Sequence, residues 1–246
     1  MKMDIKVERT KAPKQKPGKG ADLPFGQIFT DHMLIMDYDA DKGWHDCRIV
    51  PFGPIMMHPG STILHYGAGA FEGMKAYRKE DGSCQLFRPS ENAKRMEKSI
   101  DRLCLPHLDA DTILDLIERF VEFEQDWVPN EKGTSLYIRP YEFGCDEPIG
   151  LHGIQKAKFM IITCPVGNYY KEGIKPVKIA IEEHDVRAVR GGTGDCKVGG
   201  NYAASNRAEA VAEHNGFTQV LWLDGVHQKY IEEVGSMNVM FKINGE

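Results

Sequence analysis

Lys197 lies in a run of small residues at 194–205, where the pattern predicts that a strand gives way to a helix. The neighbouring glycines let other atoms approach the backbone, and a desolvated lysine amine readily forms an imine. The alternative is a solvated loop lysine, which is the commoner case for a glycine-flanked lysine. The segment by itself therefore makes Lys197 a candidate for a covalent bond to a ligand.

Three charged residues are further candidates. Glu232 and Glu233 are consecutive in a predicted strand at 230–234, so their side chains point to opposite faces and one of them can face a ligand. Arg95 lies on a predicted helix, on the face away from Met96. Taken without any further signal, all three are more often solvated surface charges.

Two glycine-rich runs suggest nucleotide binding, and neither fits it. In 67–73 the third glycine comes one residue too late for a dinucleotide-binding turn, and a strand-like segment follows. In 191–197 the terminal lysine is followed by Val198, where a P-loop has serine or threonine. A nucleotide-binding function is therefore disfavoured.

Composition limits the class of protein. With 246 residues, 41% of them hydrophobic and 27% charged, the chain can bury a sizeable core in one large or two modest domains. The net charge of -5 argues against a nucleic-acid or anionic-membrane surface. The longest apolar run, 159–166, is too short to span a bilayer, and the start of the chain lacks a secretory signal. We expect a cytoplasmic protein with small-molecule partners, without nucleic acid or membrane.

The six cysteines are far apart and form no Cys-x-x-Cys pair, which disfavours a structural zinc site and a redox motif. We therefore expect no metal and read the thiols as reduced. Cys196 precedes Lys197 and could be reactive, although a packing role is favoured for a small residue in such a segment.

The hydrophobic pattern predicts an α/β (α+β) chain. Strands are predicted at 34–38, 48–50, 62–66, 74–77, 85–87, 135–142, 158–165, 177–182, 219–223, 230–234 and 238–243. Amphipathic helices are predicted after Ser90 as N-cap and at 111–126, and an alanine-rich helix at 202–214. Asp224-Gly225 is predicted to form a hairpin turn.

Four segments follow from this pattern. They are a flexible basic arm at 1–20, a small N-terminal α/β domain at 21–166, an interdomain connection at 167–175, and the start of a larger C-terminal domain at 176–246. Asn244-Gly245 is a strong hairpin signal, yet only Glu246 follows it. We therefore expect a partial form of the protein, with an incomplete C-terminal domain.

Several motifs together resemble those of branched-chain amino acid aminotransferases, the pyridoxal-phosphate enzymes of fold type IV. The stretches are FGxxFTDHM at 25–33, HY at 65–66, FEGMKA at 71–76, FRP to RM at 87–96, RLCLP at 102–106, GTSLYIRP at 133–140, KVGGNYA at 197–203, VLWL at 220–223 and EEVGSMN at 232–238. The resemblance thus extends from about residue 25 to the last few residues and implies a two-domain fold type IV enzyme.

The resemblance implies a set of residues that bind pyridoxal 5'-phosphate. Lys197 corresponds to the lysine that bonds covalently to the cofactor and then moves the substrate α-proton, and is the implied catalytic residue. Glu233 corresponds to the acid at the pyridine nitrogen, and Arg95 to the arginine at the phosphate. Tyr202 corresponds to the tyrosine at the phenolic oxygen, and Ser236 stands near the phosphate, where many relatives have threonine.

A substrate pocket is implied in the same way. The matching positions are Phe25, Tyr66, Phe71, Tyr137, Arg139 and Tyr169. Arg139 would meet the γ-carboxylate of glutamate together with the hydroxyl of Tyr66, which in the family comes from the other subunit. The resemblance therefore implies a homodimer. Any one of these aromatic residues, taken alone, is more often a plain core residue.

The function implied is exchange of the amino group of leucine, isoleucine or valine with 2-oxoglutarate. A D-amino-acid aminotransferase or aminodeoxychorismate lyase of the same fold is the nearest alternative. It is disfavoured by Tyr137-x-Arg139 and by the sequence motif at 232–238. An inactive truncated module that binds the cofactor weakly, or only mediates protein contacts, is the alternative from another class.

Overall fold

The computed structural model describes residues 3–168, 175–235 and 237–246, so the predicted site residues Tyr169 and Ser236 lie outside the described residues. The chain divides into two compact units, Met1–Gly173 and Ile174–Glu246. The predicted connection at 167–175 lies largely outside the described part. Among the described residues, no helix has the length and apolar character needed to cross a membrane.

The first unit is a mixed sheet with helices. Its strands are β1 Lys6–Val7, β2 His32–Asp39, β3 Gly43–Pro51, β4 Gly69–Phe71, β5 Met74–Arg78, β6 Cys84–Leu86, β7 Ser135–Gly144 and β8 Lys156–Val166. Its helices are α1 Thr62–Tyr66, α2 Pro89–Arg102 and α3 Ala110–Phe123, with a short 3₁₀ turn at Gln125–Trp127. Within the described residues the sheet order is β1-β3-β2-β8-β7-β5-β6, and β4 pairs with β7.

Strand β2 lies inside the sheet, and both of its faces are buried over residues 32–36. Alternate residues of a strand face opposite sides, so Leu34 and Met36, both fully buried, lie on one side. Met33 and Ile35 lie on the other side, in a cluster with Phe143 and other residues of β7 and β8. Amphipathic α2 and α3 pack against each other and bury their apolar faces, as predicted.

The segment at 62–66, predicted as a strand, is the helix α1, so that prediction is wrong. Its β-branched and aromatic composition favours a strand. A glycine decides the outcome: Gly67 adopts a left-handed conformation (φ 61°) and donates its N–H to the Ile63 carbonyl, which closes the helical turn. Likewise α2 begins at Pro89 and not after Ser90, because the fixed φ of proline suits the first helical position.

The N-terminal segment, predicted as a flexible arm at 1–20, contacts the sheet of the first unit through its described residues. Strand β1 pairs in parallel with β3, and the Thr10 amide donates to Nε2 of buried His32. The backbone amide of Lys14 donates to the Asp31 side chain, and the Lys14 Nζ donates to the carbonyls of residues 29 and 30. The described part of the segment predicted as a flexible arm is thus held by hydrogen bonds along the sheet.

In its described residues, the second unit has a three-stranded sheet and one helix. Its elements are β9 Ile179–Ile181, α4 Gly199–His214, β10 Gln219–Leu223 and β11 Ile231–Val234. Strand β10 lies in the middle, parallel to β9 and antiparallel to β11. Ala208 and Ala212 of α4 pack on Val220 and Trp222, and the small alanines let helix and sheet approach closely.

Two turn predictions in this unit have different outcomes. Asp224-Gly225, predicted as the hairpin turn, begins a longer connection between β10 and β11. The Asp224 carboxylate organises this connection by accepting four backbone N–H groups, from residues 226, 227, 229 and 230. Asn244-Gly245 does form a tight turn, with positive φ at both residues and paired hydrogen bonds between Ile243 and Glu246. The strand predicted at 238–243 is not formed.

Candidate active site

Four of the predicted substrate-binding residues meet in the first unit. Tyr137 and Arg139 are alternate residues of β7 and so share a face of the sheet. The Tyr137 hydroxyl accepts hydrogen bonds from Arg139 Nη2 at 2.7 Å and Nε at 3.2 Å. The guanidinium carbon also lies 4.6 Å from the centre of the Phe71 ring, and the Phe25 ring meets Tyr137 edge-on at 4.8 Å. Arg139 is therefore held between a phenol and an aromatic face.

Gly73 makes room for this arrangement. A Cβ atom at this position would lie 2.1 Å from the Tyr137 hydroxyl oxygen, so only glycine lets the phenol reach its place. Burial raises the pKa of Tyr137, which keeps the hydroxyl protonated at neutral pH. The cluster thus presents a cation and a neutral hydroxyl, a combination suited to a carboxylate.

Arg95 lies on α2 and is fixed by Glu72. The guanidinium donates from Nε to Glu72 Oε1 and from Nη2 to Oε2 at 3.0 Å, in a bidentate pair. The Glu72 side chain is fully buried, whereas that of Arg95 is 49% exposed. A charged arginine with one edge anchored and much of its surface accessible can bind an anion.

Glu72 is a functional candidate that the sequence analysis did not single out. It follows β4 directly, between Phe71 and Gly73. These three consecutive residues have three roles: Phe71 stacks on Arg139, Glu72 holds Arg95, and Gly73 admits Tyr137. The available signal was a glutamate in the short connection between two strand-forming apolar stretches, where an unpaired buried charge is costly.

Tyr66 lies apart from this cluster. It is the last residue of α1, its surface is 46% exposed, and its ring centre is 6.2 Å from that of His65. An exposed phenol at a helix end is free to contribute to a site formed with another molecule.

Lys197 lies in the second unit, immediately before α4. Its neighbours Cys196 and Val198 are buried and Lys197 itself is partly buried, so the backbone is anchored on both sides. Its Nζ donates to the Tyr202 hydroxyl at 2.5 Å, a contact that brings together two predicted cofactor-binding residues. The buried thiol of Cys196 agrees with the packing role favoured for it.

Asn201 holds the loop that carries Lys197. Its Nδ2 donates to the carbonyls of Thr193 and Cys196, at 2.8 and 2.9 Å, and its Oδ1 accepts from the Thr193 hydroxyl at 2.7 Å. Asn201 is 7% exposed, so these bonds are shielded from water. The helix α4 thereby fixes the path of the chain into Lys197, a role that the sequence motif did not reveal.

Glu233 lies on β11, opposite Trp222 of β10. Its side chain is partly buried and lies 3.7 Å from Arg187 Nη2, whereas that of Glu232 is exposed. The two side chains point to opposite faces of the strand, and burial increases along β11 from exposed Ile231 to buried Val234. Arg187 also donates to the Gly194 carbonyl at 3.4 Å, so it links Glu233 to the loop before Lys197.

Known proteins match along this chain. A profile of the family described as amino-transferase class IV covers residues 69–246. Branched-chain-amino-acid aminotransferase 2 of Bacillus subtilis is 54% identical over 245 residues, which is all of this chain and 67% of the relative. A probable branched-chain-amino-acid aminotransferase of Staphylococcus aureus is 52% identical over 247 residues and is covered to 68%.

Solved structures share the fold. The branched-chain aminotransferase of Thermoproteus uzoniensis with norvaline superposes with a TM-score of 0.66 at 24% identity, over 82% of this chain and 63% of that chain. The T.th. branched-chain amino acid aminotransferase with pyridoxamine 5'-phosphate gives a TM-score of 0.65 at 26% identity, over 85% of this chain and 63% of that one. The chain thus spans somewhat less than two thirds of these structures. It belongs to the class IV aminotransferase family, and within that family to the branched-chain-amino-acid aminotransferases.

Proposed function

We propose that this protein is a pyridoxal 5'-phosphate-dependent transaminase that exchanges the amino group of leucine, isoleucine or valine with 2-oxoglutarate, giving branched-chain 2-oxo acids and glutamate. The contact of Lys197 Nζ with the Tyr202 hydroxyl carries the proposal. It places an amine on an anchored loop beside a phenol, within the segment that matches the aminotransferase family. The named relatives support the substrate class.

The side chains present fit the cofactor in chemical type. Lys197 would bond covalently to its aldehyde, Tyr202 would donate to its phenolic oxygen, and Glu233 would face its pyridine nitrogen. Arg95 would bind the phosphate through the guanidinium edge turned away from Glu72, and Ser236 would add a hydroxyl there. When bound, pyridoxal phosphate supplies an electron-withdrawing ring that stabilises negative charge at the substrate α-carbon.

The residues of the second unit then move and hold protons. Lys197 Nζ takes the proton from the substrate α-carbon and later returns one, acting first as base and then as acid. The Tyr202 hydroxyl, 2.5 Å from Nζ, orients that amine. The carboxylate of Glu233 would favour a protonated pyridine nitrogen, and Arg187 at 3.7 Å gives that carboxylate a cationic partner.

The residues of the first unit recognise the substrate. Phe25 and Phe71 give apolar surface for an aliphatic side chain, and Arg139 with the Tyr137 hydroxyl gives a partner for the second carboxylate of glutamate or 2-oxoglutarate. Tyr169 would add a further aromatic surface. One cluster can therefore accept both kinds of substrate by offering different groups to each.

Tyr66 supports a homodimer, because its exposed phenol at the end of α1 is available to a second subunit. In that arrangement Tyr66 of one protomer would reach the carboxylate bound by Arg139 of its partner. Sedimentation equilibrium should show a dimer. A protein that is monomeric at assay concentration and fully active would contradict this part of the proposal.

The function is tested by spectroscopy and by assay on the same sample. Purified protein with pyridoxal phosphate should show a visible absorption band that leucine removes and 2-oxoglutarate restores. The Lys197→Ala variant should lack the borohydride-reducible link to the cofactor and all turnover.

Two controls separate the alternatives. D-alanine should leave the absorption band unchanged. Loss of the band on addition of D-alanine would instead favour a D-amino-acid aminotransferase. A band that forms but never responds to leucine would instead indicate a module that holds the cofactor without transamination.

A further inference from the structure

Glu72 is a buried carboxylate enclosed by donors at the turn between β4 and β5. Its side chain has no exposed surface. Its Oε1 accepts from Arg95 Nε, and its Oε2 accepts from Arg95 Nη2 at 3.0 Å, from Asn92 Nδ2 at 3.0 Å and from the Gly73 amide at 2.9 Å. These hydrogen bonds compensate the carboxylate for the water that it loses on burial.

The same contacts fix the plane of the Arg95 guanidinium. Two hydrogen bonds from Nε and Nη2 to the two oxygens of one carboxylate leave the planar group little freedom to rotate. Asn92 lies one helical turn before Arg95 on α2 and also donates to the Gly73 carbonyl, at 3.3 Å. These hydrogen bonds join helix α2 to the turn at 72–73, while about half of the Arg95 side chain stays exposed.

We propose that Glu72 is a positioning residue that orients Arg95 for the phosphate group of the cofactor and so determines how strongly that phosphate is bound. The proposal rests on the role of Arg95 in the proposed function. Supporting groups behind the residues that hold a ligand change affinity by roughly 10- to 100-fold in metal sites, and a similar scale is expected here. Glu72 does not need to touch the cofactor to act in this way.

If only charge mattered, loss of the Glu72 carboxylate would strengthen phosphate binding, the opposite of what the orientation argument predicts. Removing a carboxylate beside Arg95 makes its surroundings more positive, which by Coulomb attraction would strengthen phosphate binding. Orientation predicts weaker binding, because Gln at this position turns an amide donor toward donors on Arg95, Asn92 and Gly73 and cannot accept both arms of the guanidinium. The sign of the change in Glu72→Gln therefore decides between the two effects.

The experiment compares two probes that differ only in the phosphate. Apoprotein is titrated with pyridoxal 5'-phosphate and with pyridoxal, and the absorption band of the lysine-bound form gives a dissociation constant for each. Glu72→Gln should raise the constant for pyridoxal phosphate by about 10- to 100-fold and leave that for pyridoxal within about threefold of wild type. Lys94→Gln is the matched control, since Lys94 is an exposed cation on the same helix that pairs with Glu91, and it should change neither constant.

A double mutant tests whether Glu72 acts through Arg95. Arg95→Gln alone should remove most of the preference for pyridoxal phosphate over pyridoxal, and adding Glu72→Gln should change the constants by less than about threefold, because coupled residues are not additive. Circular dichroism of each apoprotein verifies folding. Should Glu72→Gln not fold, Glu72→Asp takes its place, and its shorter side chain should raise the pyridoxal phosphate constant alone.

Several results would overturn the inference. One is an equal loss of affinity for both probes, and another is a gain in affinity for pyridoxal phosphate in Glu72→Gln. A third is a double mutant whose change in dissociation constant is the product of the changes in the two single mutants. Each of these leaves wild-type binding, and with it the proposed function, intact. A wild-type protein that bound neither probe would overturn the proposed function and this inference with it.

Discussion

Glu232 and Glu233 are adjacent residues whose surroundings differ. Glu233 is partly buried beside Arg187, and Glu232 is exposed on the other face of β11. If Glu233 faces the pyridine nitrogen, Glu233→Ala should slow α-proton removal by at least about 100-fold, the scale of a charge-stabilising group. Stopped-flow measurement of leucine deprotonation gives this rate. Glu232→Ala is the matched control, and equal slowing by both variants would refute the assignment based on strand alternation.

Gly73 is a second single-residue test. The Cβ of Gly73→Ala would lie 2.1 Å from the Tyr137 hydroxyl oxygen, so the phenol must move and Arg139 loses its acceptor. We expect the KM for 2-oxoglutarate to rise by about tenfold or more, with a smaller change for leucine, because small misplacements of positioning groups are costly. Steady-state kinetics with both substrates measure this. Gly53→Ala adds a Cβ in open space and should behave as wild type; an unchanged 2-oxoglutarate KM in Gly73→Ala would count against the role of the cluster.

Among the elements, α3 shows how a local signal fixes a helix start. Asp109 accepts the Thr112 amide at 2.8 Å and the Thr112 hydroxyl at 2.7 Å, and these bonds lower the pKa of Asp109. Asp109→Ala should reduce the free energy of unfolding by about 1 kcal/mol at neutral pH, with little further loss on acidification. The wild type should lose the same increment as pH falls through the lowered pKa, because the carboxylate is then protonated. Urea unfolding at two pH values measures both, and Glu118→Ala, exposed in mid-helix, serves as the control; equal destabilisation by the two variants would contradict the cap.

On the scale of the whole molecule, Glu142 makes stability depend on pH. Both of its carboxylate oxygens are buried and without a hydrogen-bond partner among the described residues, and burial raises its pKa to about 9. Between its ordinary pKa and about 9, the folded protein keeps a proton that the unfolded chain releases. Stability therefore falls as pH rises, by up to about 1.4 kcal/mol per pH unit.

The Glu142→Gln variant tests this prediction. It has no proton to lose, so it should match wild type near pH 4.5 and exceed its unfolding free energy by a few kcal/mol at pH 8, roughly as the pKa shift requires. Chemical denaturation at the two pH values gives the difference. Glu118→Gln should show no such divergence, and a Glu142→Gln curve parallel to that of wild type would mean that Glu142 is ionised when folded.

Sequence alone determined the family, the fold class and most of the elements, and these predictions are confirmed by the relatives and the structure. Long periodic segments such as α3 and β8 were predictable because their hydrophobic spacing reports a local backbone geometry. The resemblance in motifs predicted Lys197 and Tyr202 as cofactor-binding residues, and the structure joins their side chains by a hydrogen bond. The roles assigned to all the site residues, Tyr169 and Ser236 included, stay predictions.

Tertiary structure decided what depends on neighbours distant in sequence. The segment at 62–66 has strand-like composition, yet a left-handed Gly67 closes it as a helix. In the sequence Glu72 is an ordinary acidic residue. In the structure it is buried and pairs with Arg95, 23 positions away. Burial and hydrogen bonding depend on which elements pack together, and composition does not contain that information. The sequence thus predicted candidate residues for the chemistry, and the packing of α2 on the turn at 72–73 determined how one of them, Arg95, is held.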